Sequence, residues 1–266
     1  MKIAIVGYGN MGKTYAGSFI NSRFIKAEDI IVVDRSFPGD NETFGIPVAN
    51  FTTEINDAFS ETDIVILAVK PQDFMSVSEK LKSKLTDSQI VLSIMAGVTI
   101  GTIQKMTDSS KVVRSMPNIV SQIGMGMTVF SASPDIDRKD LFIIQNLLNT
   151  TGKSIYVDNE KLIDAATAVS GSGPAYVFYF MKSMIKAAEQ LGFKPSEAEL
   201  LVNQTFMGSI NLKNANSLSN EEWIAKVASK GGTTERALQV FDASATEDII
   251  AKAVMAANER ALELGL

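Results

Sequence analysis

The chain contains neither cysteine nor histidine. Without cysteine it can form no disulfide, offers no thiol nucleophile and builds no thiolate metal site. Without histidine there is no Ser-His-Asp triad, no imidazole proton shuttle and no imidazole metal ligand. Chemistry must then rest on a cofactor, a carboxylate, a lysine, a tyrosine, a hydroxyl or backbone dipoles. That removes many hydrolases and the dehydrogenases that use a histidine acid. A block of like charge is also missing: 25 basic and 30 acidic residues give a net charge of −5 with no basic face. Nucleic acid and anionic membrane surfaces are therefore not expected as partners. No run is long and apolar enough to span a bilayer, and Met1 leads into a strand-like segment without a signal-peptide pattern, so a cytoplasmic protein is expected. The acidic residues lack convergent spacing, and no metal site is expected.

What is present is an ordinary globular composition, 45% hydrophobic over 266 residues. The first half alternates short apolar runs ("KIAIV", "IIVVD", "DIVILAV", "QIVLSI", "KVVRS") with segments apolar at helical spacing ("NMGKTYAGSFINS", "TTEINDAFS", "DFMSVSEKLKSKL"). Strands alternating with helices predict an α/β, doubly wound parallel sheet. From Glu160 onward the patterns are helical only, which places a boundary near Asp158 and divides the chain into 1–158 and 159–266. Ser196 with Glu199 reads as a capping box, and Gly192 as the end of the preceding helix. The stretch "YVFYFMKSMI" is apolar on nearly every side, the pattern of a buried or intersubunit helix rather than a cofactor box.

"VGYGNMG" follows the first strand and opens the first helix, with Gly7, Gly9 and Gly12 in G-x-G-x-x-G register. Gly7 permits the tight turn, Gly9 lets backbone approach a pyrophosphate, and Gly12 allows close helix packing. The helix N-terminus supplies N–H groups and partial positive charge to the phosphates. The second strand ends at Asp34, twenty-two positions after Gly12, the context that makes this a dinucleotide fingerprint. Asp34 favours NAD, whereas Arg35 and Ser36 suit the extra phosphate of NADP. "LAVKP" places Lys70 and Pro71 at the carboxyl end of a strand, where such folds keep their ligands.

With "RSMPN" (Arg114–Asn118), "SGSGPAY" (Ser170–Tyr176) and "SKGGTTERAL" (Ser229–Leu238) added, the sequence resembles the pyrroline-5-carboxylate reductases over nearly its whole length. The resemblance implies a Rossmann-type domain followed by an all-α dimerisation domain, and a homo-oligomer built from dimers through the C-terminal helices. It implies reduction of the cyclic imine 1-pyrroline-5-carboxylate to L-proline by NADPH or NADH. Its nucleotide contacts fall on Val6, Gly7, Tyr8, Gly9, Asn10, Met11 and Gly12, on Ser36, on Ala68, Val69, Lys70 and Pro71, and on Met95 and Ala96. An asparagine common after the third strand is displaced to Asn56. Substrate contacts fall on Glu160, Ser229, Thr233 and Thr234, and the glycines of the turn, Gly231 and Gly232, are expected to bind substrate with them. The chain departs from the pattern at Ile119 and Val120 ("MPNIV" for "MPNTP") and at Lys230 ("SKGG" for "SPGG").

Such chemistry is compatible with the missing histidine. A ketone reductase must protonate a developing alkoxide, but a cyclic imine is protonated in solution, and its carbon is then electrophilic. The enzyme binds, orients and excludes water while hydride passes. What must be held is a carboxylate. Backbone N–H groups of Thr233 and Thr234 with Ser229 are expected to grip it, and the Thr234 hydroxyl to lie near the ring nitrogen as the catalytic contact. Two other readings fit parts of the sequence: a reductase of other imines or β-hydroxyacids, and a silent dinucleotide-binding module.

Overall fold

The computed structural model describes residues 1–36, 39 and 43–264. Two compact units emerge: Met1–Ser172 with the chain from Ala257, and Gly173–Ala256.

The first unit is built on one eight-stranded sheet. Its strands are β1 (Ile3–Val6), β2 (Ile30–Val33), β3 (Phe51–Thr52), β4 (Ile64–Leu67), β5 (Ile90–Ser93), β6 (Val112–Met116), β7 (Gly126–Ala132) and β8 (Gly152–Tyr156). They lie in the order β3-β2-β1-β4-β5-β6-β7-β8. Every pairing is parallel except β6 with β7, which is antiparallel. The helices are α1 (Asn10–Asn21), α2 (Phe74–Lys82), α3 (Ile100–Thr107), α4 (Arg138–Asn149) and α5 (Lys161–Ala166), and α5 continues into a π-helical turn, Thr167–Gly171.

Strands β1, β4, β5 and β6 are buried at every position, because helices cover both faces. Side-chain alternation sorts β1 between two cores. Ile3 and Ile5 join Tyr15, Phe19, Leu147 and Leu148 of α1 and α4. Ala4 and Val6 join Phe74, Leu81 and Ile103 of α2 and α3.

One local expectation changes here. "TTEINDAFS" is no α-helix: it holds the end of β3 and then a 3-10 helix, Asp57–Glu61. Its polar side chains draw the backbone elsewhere, since Thr52 Oγ1 accepts from the Glu54 N–H at 3.1 Å and Asn56 Oδ1 from the Ala58 N–H at 3.1 Å. Strands β7 and β8 and helices α3 and α4 were not anticipated. β7 alternates buried and half-buried positions and β8 is mostly exposed, so neither presents a continuous apolar run. Two glycines let them start side by side: a Cβ on Gly152, at φ +146°, would stand 2.1 Å from the Gly126 carbonyl oxygen.

The second unit contains α6 (Gly173–Gln190), α7 (Pro195–Asn214), α8 (Asn220–Val227), α9 (Thr233–Ala243) and most of α10 (Thr246–Leu264). α7 begins at Pro195, not at Ser196 as a cap. The Glu197 carboxylate, rather than Glu199, reaches back to the Lys194 N–H at 3.0 Å. A reciprocal capping box sits instead at Ser219 and Glu222. Between Gly173 and Ala256 only Ala198 and Val202 are buried. Phe178 and Tyr179 of α6 are more than half exposed, at 62% and 66%. A soluble chain seldom leaves so much apolar surface in water unless it is a contact face.

Candidate active site

In parallel strands the carboxyl ends share one edge. That edge gathers Val6–Gly12 after β1, Asp34–Ser36 after β2, Ala68–Pro71 after β4 and Met95–Ala96 after β5.

The three glycines of the first turn do different jobs. Gly7 takes φ +98° and donates its N–H to the Val33 carbonyl at 2.8 Å, fastening the turn to β2. A Cβ there would lie 2.7 Å from the Ala68 carbonyl oxygen. A Cβ on Gly12 would lie 2.1 Å from the Gly7 carbonyl oxygen, so α1 can approach the turn only through glycine. A Cβ on Gly9 would meet nothing within 4 Å, leaving open space above the start of α1. The first helical hydrogen bond runs from the Lys13 N–H to the Gly9 carbonyl at 3.0 Å, so the N–H groups of Asn10, Met11 and Gly12 lie ahead of the ladder. No acidic residue occupies that first turn to neutralise it. This cradle fits a dinucleotide pyrophosphate.

Around it, the Asp34 carboxylate braces the loop. Oδ2 accepts from the Tyr8 N–H at 2.6 Å, while Oδ1 accepts from the Ser36 N–H at 3.1 Å and the Ser36 hydroxyl at 3.2 Å. Ala68 N–H donates to the Val6 carbonyl at 2.8 Å, and Pro71 opens a 3-10 turn, Pro71–Asp73. Arg35 Nη2 lies 3.5 Å from Asp73 Oδ2. Met95 N–H donates to Ser93 Oγ at 3.2 Å, turning the chain towards Ala96. The Asn56 carbonyl oxygen is spent on its own 3-10 helix.

Deeper in the unit is a charged cluster. Arg114 on β6 is 1% exposed; its Nη1 donates to Glu160 Oε1 at 3.1 Å and its Nη2 to Asp164 of α5. Glu160 Oε1 also accepts from the Ile100 N–H at 2.8 Å. Glu160 is thus tied to β6 and to the start of α3. Asn118, just after β6, accepts from the Met127 N–H at 3.2 Å and donates to the Ser170 carbonyl at 3.0 Å, joining β7 to the π-turn. Arg114 and Asn118 both lie in "RSMPN", and the sequence alone shows no task for either. An arginine inside a fully buried strand is the signal for a buried carboxylate partner. Burial pushes the Tyr15 phenol well above its usual value, so it stays neutral and takes no part as a base.

The second unit carries the other glycine turn. Gly231 has φ +75° and donates its N–H to Glu235 Oε2 at 2.6 Å, and Gly232 N–H donates to the Ser229 carbonyl at 2.9 Å. The first α9 hydrogen bond runs from Arg236 N–H to the Gly232 carbonyl at 3.2 Å. The N–H groups of Thr233, Thr234 and Glu235 therefore precede the ladder, while both glycine amides are already spent. Among the described residues no group of three His, Cys, Asp or Glu side chains converges as a metal site would.

Known proteins share this arrangement. Residues 160–264 match the family model described as pyrroline-5-carboxylate reductase dimerisation, and residues 2–97 match the one described as NADP oxidoreductase, coenzyme F420-dependent. The pyrroline-5-carboxylate reductase of Aquifex aeolicus is 33% identical, the match spanning 99% of this chain and 97% of the relative. The chain belongs to the pyrroline-5-carboxylate reductase family. Among solved structures of that family, the Coxiella burnetii enzyme aligns with a TM-score of 0.90 at 32% identity, covering 100% of this chain and 98% of the other. The Plasmodium falciparum enzyme, solved with NADP bound, aligns at 0.89 with 28% identity and the same coverage. The reductase fold so identified, an N-terminal Rossmann-like sheet and a C-terminal helical region, is the one the sequence led us to expect. No helix among the described residues is long and apolar enough to cross a membrane.

Proposed function

We propose that the chain reduces 1-pyrroline-5-carboxylate to L-proline with NADPH or NADH, the last step of proline synthesis. The observation that carries this reading is full-length similarity to reductases of that name, together with a glycine cradle whose Gly9 faces open space.

When bound, the reduced nicotinamide supplies the hydride. The chain's task is to hold both partners. Asn10, Met11 and Gly12 amides take the pyrophosphate; Ala68–Pro71 and Met95–Ala96 border the remainder of the dinucleotide. Thr233 and Thr234 amides, with the Ser229 hydroxyl, take the substrate carboxylate, since their N–H groups have no partner within α9. The Gly231 and Gly232 amides shape the turn instead of binding. The Thr234 hydroxyl is assigned to the ring nitrogen. Hydride adds to the carbon of the protonated C=N bond, whose π pair settles on nitrogen, so no side-chain acid is required. Glu160 is assigned a substrate contact in this reading, its Oε1 already accepting from Arg114 and from the Ile100 N–H at the start of α3.

Two copies pair through the exposed apolar helices of the second unit, the region matched by the dimerisation model, and dimers build the oligomer. A cytoplasmic location belongs to the same proposal, since such a reductase draws on a free pool of reduced nucleotide. Purified protein given 1-pyrroline-5-carboxylate and NADPH should form L-proline as nucleotide is oxidised; binding of nucleotide without turnover would reject the assignment.

A further inference from the structure

Asp73, at the nucleotide rim, is an acidic residue that neither the glycine fingerprint nor the family match assigns. Asp34, the residue that reads a ribose 2′-hydroxyl in NAD-binding folds, carries three hydrogen bonds from Tyr8 and Ser36. A carboxylate offers about four acceptor positions, so most of its capacity is spent on bracing the loop. Discrimination at the ribose then passes to its neighbour. Arg35 is the cation at the end of β2, where the ribose 2′ group is read. Its guanidinium is 86% exposed and sits against Asp73, at the far end of the turn that follows β4. The pair therefore spans from the β2 end to the β4 end, across the carboxyl edge of β1.

We infer that Asp73 is a specificity-determining residue for the nucleotide: it competes with a 2′-phosphate for Arg35, so that gripping NADPH means releasing Asp73, whereas NADH leaves the pair intact. The inference rests on the dinucleotide reading above. Asp73 is suited to the task because, among the described residues, its side chain pairs with Arg35 and caps no N–H of α2, so losing its charge should disturb the fold little. An exposed ion pair is worth only about 0.2–1 kcal/mol, and that sets the size of the effect.

The test is equilibrium binding of NADPH, NADP and NADH, followed by calorimetry or nucleotide fluorescence, with the parent protein, Asp73→Asn, Arg35→Gln and the double variant. Asp73→Asn should bind NADPH and NADP about two- to fivefold more tightly and NADH unchanged, with a melting temperature lowered by no more than about 4 °C. Arg35→Gln should weaken NADPH and spare NADH. In the double variant Asp73→Asn should add nothing, because its target is gone. The inference is overturned if Asp73→Asn leaves the NADPH-to-NADH ratio as it was, or if it still tightens NADPH without Arg35, which would mean a general charge effect. A parent protein that binds no nucleotide would instead defeat the functional reading itself.

Discussion

Gly9 and Gly12 lie one helical turn apart, yet alanine should act on them in opposite ways. At Gly9 the backbone is extended, φ −72° and ψ −166°, which any residue adopts, and the new methyl group meets no protein atom within 4 Å. Gly9→Ala should therefore change stability by less than about 1 kcal/mol, the scale of a Gly-to-Ala exchange at a compatible site. The open space is where the cofactor's pyrophosphate is to lie, and the methyl group pushes it off the first-turn amides. Losing two hydrogen bonds to a charged group, each about 1.5–3 kcal/mol, weakens binding on the order of a hundredfold or more. At Gly12 the methyl group would meet the Gly7 carbonyl oxygen at 2.1 Å and its carbon at 3.1 Å. Both are backbone atoms, so no side chain can rotate away. Overpacking costs about 1–3 kcal/mol, which in a domain of this size lowers the melting temperature by roughly 3–10 °C. Thermal melts and NADPH titrations on the two variants separate the effects. The reasoning fails if Gly9→Ala binds NADPH as the parent does, or if it melts as low as Gly12→Ala.

Other outcomes follow from the same geometry. Arg114→Met leaves Glu160 and Asp164 facing each other without their cation and should lose about 2–4 kcal/mol in urea unfolding; a loss below about 1 kcal/mol would mean the cluster is not structural. Thr234→Ala should raise the KM for 1-pyrroline-5-carboxylate and lower turnover while nucleotide affinity stays put, and equal losses in both would reject its assigned contact. Tyr179→Asp, on the exposed face of α6, should shift sedimentation towards monomer without loss of helicity by circular dichroism, whereas an unchanged oligomer places the interface elsewhere.

The sequence was most legible where one element alone sets the pattern. Parallel strands buried on both faces read as continuous apolar runs, so β1, β2, β4, β5 and β6 were recognisable, and the C-terminal helices followed from their 3.6-residue spacing. β7 and β8 escaped because neither is a continuous buried apolar run: β7 has half-buried positions along it and β8 is mostly exposed. The glycine turns were legible because glycine itself is the signal. The carboxylate partners of Arg114 and the Ser170 partner of Asn118 were not, since they stand 46, 50 and 52 positions away and only the fold brings them together. Nor could sequence divide the "SKGGTT" turn between amides spent on Glu235 and Ser229 and amides left for a ligand, because that split depends on the direction of each N–H.

The central claim is that a protein without histidine or cysteine reduces a cyclic imine by holding it against a nicotinamide. It is tested most directly by mixing purified protein with 1-pyrroline-5-carboxylate and following nucleotide oxidation, with NADPH and with NADH, against L-proline formed. The account predicts one proline for each nucleotide oxidised. Protein that binds NADPH with Gly9 intact and yet forms no proline with either nucleotide would contradict it.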